Sequence, residues 1–134
     1  MPQLAFDDFV RANAFTLGAN WTNTEGSWEV FSNSAVVTSS GAGSYSSTYW
    51  NAISWPNDQY SQITVNTIDS TGDSPIGPAV RMSSSSETYY WLLAFAGGLY
   101  IQLLNAGSYS NIAGPVAYTS NVGDVLYLEI RVQI

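Results

Sequence analysis

The chain of 134 residues contains no histidine, no cysteine and no lysine; its basic side chains are Arg11, Arg81 and Arg131. Each absence excludes a class of chemistry. Without His or Cys there is no Ser–His–Asp or Cys–His nucleophile and no zinc site of the usual ligand types. Without Lys there is no GxxxxGK phosphate loop, and no GxGxxG run occurs either. Cysteine's absence also removes any disulfide framework. Ten carboxylates against three arginines set the net charge at −7. Nucleic acids and anionic membranes are bound largely through basic side chains, so both are excluded as expected partners. No stretch approaches the ~18 apolar residues of a membrane span. The opening MPQLAFDDFV lacks the basic start and apolar run of a signal peptide.

What is present points to strands. Hydrophobic residues make up 46% of the chain, enough to bury a core. Ser, Thr, Asn and Gly are abundant, and with aromatic and β-branched residues they suit strands and turns. Segments 27–32 and 34–39 read as two short strands around an Asn33 turn. Segment 59–69 alternates, with Tyr60, Gln62, Thr64 and Asn66 on one face and Ser61, Ile63, Val65 and Thr67 on the other. Segment 76–83 follows. Segments 88–96 and 98–105 read as a hairpin turning at Gly97-Gly98. The last strand begins near Gly123. No segment has helical spacing over more than a turn or two. The reading predicts one domain over 1–134, all-β, an antiparallel β-sandwich of the jelly-roll kind.

Several stretches carry a family resemblance. FDDFVRANAFTLGANWT, then SWEV at 27–30, NDQYSQITV at 57–65, AVRM at 79–82, YYWLLAF…GGLYIQLL and GDVLYLEI at 123–130 together resemble the concanavalin A-like lectin/glucanase domains, laminin-G-like jelly rolls included, of bacteria and phages. The resemblance covers nearly the whole chain and implies the fold; function it leaves open, because this fold hosts lectins, hydrolases and structural modules. Such domains commonly continue for about fifty residues beyond this kind of strand. The sequence ends inside the alternation Leu126, Leu128, Ile130, Val132, Ile134. The expectation is a strand whose free edge is covered either by further residues or by a neighbouring subunit.

The resemblance also offers a catalytic motif to test. Laminarinase-type glucanases carry an E-x-D-x-x-E strand, and EIRVQI (129–134) is the nearest match. Glu129 fits the nucleophile's place, but Arg131 replaces the aspartate and Ile134 the acid. A glycosidase needs both carboxylates, so the chain is not expected to be an enzyme, and Glu129 reads as a polar-face residue beside Arg131. Asp7 and Asp8, the only adjacent carboxylates, offer a metal pair or an acid/base pair, against the simpler expectation that Asp8 caps a turn or pairs with Arg11. The loop DSTGDSP (69–75) offers Asp69 and Asp73 as calcium ligands, since calcium takes oxygen donors from such loops; turn formation alone explains the same residues.

The aromatic stretch YWNAISWPNDQY (49–60) supplies the candidate ligand site. The Trp55-Pro56 bond favours extended backbone, so Trp55 belongs to a connection. Asn57 and Asp58 surround its ring with hydrogen-bonding groups. Sugars present apolar C–H faces and polar edges, which suits a ring beside such groups. Trp55, Asn57, Asp58, Trp50, Tyr49 and Trp91 form the expected ligand-binding set, with burial in the core as the alternative for each ring. The function expected is a non-catalytic, lectin-like binding or adhesion module: a phage virion surface protein, in capsid decoration or tail-fibre adhesion, with weak multivalent glycan recognition. Its partners would be glycans or protein surfaces, other copies of itself or virion proteins, and its place the virion surface or the extracellular space. The alternative is a secreted carbohydrate-binding module of a polysaccharide-degrading enzyme. A purely structural assembly protein or a glycoside hydrolase stands behind both.

Overall fold

The computed structural model describes residues 1–39, 45–67, 75–83, 85–95 and 97–133. Among these the chain is all-β, with no helix and with every strand pair antiparallel. The strands fall into two compact units, residues 2–54 and residues 55–134 together with Met1.

In the N-terminal unit, β1 (Trp21–Glu25) pairs with β4 (Ser47–Trp50), and β2 (Ser27–Phe31) with β3 (Ser34–Ser39). The β2–β3 turn is made by Ser32 and Asn33, both left-handed at φ 51° and 59°. Two left-handed residues match the twist of the flanking strands, and Asn tolerates that conformation better than most. Val30 is 1% exposed, and its backbone exchanges two hydrogen bonds of 2.9 Å with Ala14. The N-terminal segment is clasped by Asp7. Its carboxylate accepts from Arg11 at 2.6 and 3.1 Å, from the Trp21 indole N–H at 2.9 Å and from the Phe9 N–H at 2.9 Å. The ion pair expected of Asp8 therefore belongs to Asp7, while Asp8 caps the turn by accepting from the Val10 N–H at 2.9 Å.

In the C-terminal unit, β6 (Ala79–Val80), β7 (Tyr89–Phe95), β8 (Gly98–Asn105) and β9 (Ser108–Ala117) form one sheet in that order, and β5 (Gln59–Thr64) pairs with β10 (Val125–Ile130) in a second. Val65, Ala94 and Leu126 are buried together, with Ile63, Leu92, Leu99 and Tyr118 packed against them. The inner face of β5–β10 thus lies on the even-numbered side chains of β7, a two-layer, sandwich-like arrangement. The chain before β6 runs close to β7: Ile76 exchanges backbone hydrogen bonds with Ala94 at 3.2 and 2.9 Å, and the Leu92 N–H donates to Pro78 at 3.0 Å. Gly77 lies flat on that backbone, where a Cβ would collide with the Leu92 carbonyl. The β8–β9 turn is again a left-handed pair, Ala106 and Gly107 at φ 48° and 80°.

The β7–β8 hairpin and the alternation of β5 match the sequence reading. β9 does not appear in that reading, because its SYSNIAGPVA has no clean alternation and contains Gly114 and Pro115, which ordinarily speak against a strand interior. The structure confines both to an edge strand whose ten residues are all exposed. The outer edge of β10 has no paired strand among the described residues. Ile134 lies outside them.

Candidate functional site: an aromatic and polar sheet face

The pairing of β5 with β10 decides which side chains share a surface. Ile63 lies opposite Leu126, Gln62 opposite Tyr127, and Tyr60 opposite Glu129. Directly opposed residues point to the same face. Leu126 and Leu128 are 4% and 8% exposed and fill the core, while Val125 and Tyr127, which alternate with them, are 55% and 45% exposed. The outer face therefore carries Tyr60, Gln62 and Thr64 from β5 and Val125, Tyr127 and Glu129 from β10.

Diagonal neighbours on such a face are within reach of aromatic rings. Tyr60 and Tyr127 stack, with centroids 5.6 Å apart and planes at 24°. The Tyr127 hydroxyl donates to Glu129 Oε2 at 3.1 Å, and Arg131 Nε donates to Glu129 Oε1 at 2.6 Å. The hydrogen bond from Arg131 is the main reason the Glu129 carboxyl is held below its usual range. Tyr127 is shifted upward, first by desolvation and then by donating to the carboxylate. At neutral pH the face thus combines two ring surfaces, a carboxylate acceptor and a guanidinium donor.

The segment before β5 is braced beside this face. Asp58 Oδ1 accepts the Val132 N–H at 2.8 Å, joining the segment to the chain one residue past Arg131. Gln59 Nε2 donates to the Pro56 carbonyl at 2.7 Å, and Gln59 Oε1 accepts the Arg81 N–H at 2.7 Å. The Arg81 guanidinium donates to the Asn57 carbonyl at 3.3 and 3.1 Å. Arg81 itself has φ 54°, a conformation that a non-glycine residue holds only when its surroundings over-determine it. The three hydrogen bonds that Arg81 makes to Gln59 and Asn57 supply that constraint. Trp55, at the start of the braced segment, is 39% exposed.

The expected ligand-binding residues divide between the units. Trp55, Asn57 and Asp58 share the braced segment. Their polar groups are partly committed inward: the Asn57 carbonyl to Arg81 and one Asp58 oxygen to Val132. Trp91 is 8% exposed and donates its indole N–H to Gln102 Oε1 at 3.0 Å, so it presents no open ring face. Tyr49 and Trp50 belong to the N-terminal unit on β4, half-buried. Tyr49 pairs in register with Thr22, and Trp50 with Trp21, whose ring it meets edge-on at 5.5 Å. Asp69 and Asp73 lie outside the described residues, among which no group of three His, Cys, Asp or Glu side chains is gathered as a metal site.

Sequence reasoning placed Tyr60 on a face but could not supply Tyr127 as its neighbour, since the two are joined only by the β5–β10 register. Arg81 as the brace of the Trp55 segment had no local signal. Comparison of the chain with models of protein families, with curated proteins and with solved structures gives no match.

Proposed function

We propose that the chain is a non-catalytic, lectin-like binding module. Its ligand is a neutral glycan held on the outer face of β5–β10 and the adjoining Trp55 segment. The observation that carries this reading is the stack of the exposed Tyr127 on the half-buried Tyr60, beside the Glu129–Arg131 pair. Sugar C–H faces pack on exposed aromatic rings, and hydroxyls, which both donate and accept, pair with a carboxylate and a guanidinium. The net charge of −7 favours neutral over anionic glycans. The proposed fold is the concanavalin A-like jelly roll.

A small open platform of this kind binds weakly, on the order of millimolar to micromolar. Adhesion then requires many copies on one surface, where avidity multiplies the single-site affinity. A virion surface provides that arrangement, and it is the setting we propose. The test is a titration of neutral oligosaccharides against the wild type and Tyr127→Ala. Binding in the first and an affinity at least about tenfold lower in the second is expected, with an unchanged far-ultraviolet circular dichroism spectrum. Equal affinity in both, or no binding across a broad glycan panel, rules the reading out.

A further inference from the structure

Trp91 donates its indole N–H to Gln102 Oε1 at 3.0 Å, and Gln102 Nε2 donates to Asn111 Oδ1 at 2.8 Å. The three residues face one another across β7, β8 and β9, in register. This chain has a direction. An indole N–H can only donate, so Gln102 must turn its oxygen to Trp91 and its amino group to Asn111. Asn111 must then turn its oxygen inward, which leaves its amino group, two donors and no acceptor, pointing outward. Asn111 is exposed. Two residues along the same strand, and so on the same face, Tyr109 is 39% exposed, with its ring 6.4 Å from that of Trp91. Residues 106–117 carry no charged side chain.

We infer that Tyr109 and Asn111 form a second ligand subsite, selective for the acetamido group of an N-acetylated amino sugar. A group that only donates is matched by one that only accepts, and the acetamido carbonyl is such a group, whereas a hydroxyl must also place its own proton. The acetamido methyl requires apolar cover, which the Tyr109 ring supplies. The absence of charge on the strand suits a neutral ligand. Trp91 is here a positioning residue: buried, it fixes the orientation of Gln102 and through it that of Asn111. This inference rests on the glycan-binding reading and adds to it a sugar class and a separate surface.

The experiment follows the indole N–H resonances of the five tryptophans by nuclear magnetic resonance while chitotriose or cellotriose is added. The Trp91 resonance reports the relay and that of Trp55 reports the β5–β10 face. Chitotriose is expected to move the Trp91 resonance, and cellotriose to move it only at concentrations about tenfold higher or more. Asn111→Asp keeps the acceptor for Gln102 and removes the outward donors. It should leave the sugar-free Trp91 resonance in place and abolish its response to chitotriose, as should Asn111→Ala. If the Trp55 resonance responds and that of Trp91 does not, the second subsite is wrong while the proposed face stands. If cellotriose moves the Trp91 resonance equally well, the acetamido assignment is wrong. If neither resonance moves with either sugar, both readings fall together.

Discussion

Replacing Trp55 by alanine separates its two roles, because the ring is 39% exposed and about three-fifths covered. A fully buried tryptophan covers up to about 250 Å², so truncation here loses on the order of 100 Å² of covered apolar surface. At about 25 cal/mol per Å² this costs about 2.5 kcal/mol, an upper figure because the unfolded chain already covers part of the ring. A domain holds about 5–15 kcal/mol in reserve, and Gln59, Arg81 and Asp58 brace the segment without the indole. The variant should therefore fold, with a melting temperature lower by up to about 9 °C. The exposed part of the ring serves the ligand. Losing it should weaken binding of a neutral oligosaccharide by about tenfold, or about 1.4 kcal/mol, while Trp55→Phe retains most of the affinity. Thermal melts followed by circular dichroism and calorimetric titration on the same samples measure both effects. An unfolded Trp55→Ala would show that the ring is core and that the covered fraction understates its role. A folded variant with unchanged affinity would remove Trp55 from the site.

Three further outcomes follow from the geometry. Gly77→Ala places a methyl against the Leu92 carbonyl; separating the segment before β6 from β7 should cost about 1–3 kcal/mol, and an unchanged urea midpoint would contradict the close approach. Asp7→Asn removes the ion pair with the 37%-exposed Arg11 and should cost about 1 kcal/mol at neutral pH. Burial raises the Asp7 carboxyl, but its hydrogen bonds from Arg11, Trp21 and Phe9 outweigh that, and the net displacement is below the ordinary 3.8. A lowered folded-state value contributes stability that is present above the unfolded value and lost as pH falls through the folded one. The difference between wild type and Asp7→Asn should therefore begin to narrow as pH falls below 3.8; a gap that stays constant or widens as the pH is lowered further would contradict the ion pair. Leu104→Ala, at a side chain 1% exposed, should cost about 2–5 kcal/mol, read as a lower urea midpoint with binding retained at low temperature.

The absence of His, Cys and Lys settles which chemistries this chain cannot perform, whatever its fold, because those side chains are the reagents. The period of two in residues 59–65 separates Tyr60 and Gln62 from Ile63 and Val65, because successive strand residues face opposite ways. The paired glycines at 97–98 and Asn33 mark hairpins, because turns demand the conformations these residues tolerate. These are local rules, and local sequence carries them. Everything that depends on register lay beyond it. Trp55 and Trp91 are alike as residues in aromatic, strand-rich sequence, yet one is 39% and the other 8% exposed, since burial is set by what folds over a ring and not by its neighbours in the chain. Tyr127 becomes the partner of Tyr60, and Arg81 the brace of the Trp55 segment, only when residues far apart in sequence are brought together. Long-range pairing of strands is chosen by the whole core, so the candidate site exists only in the folded chain.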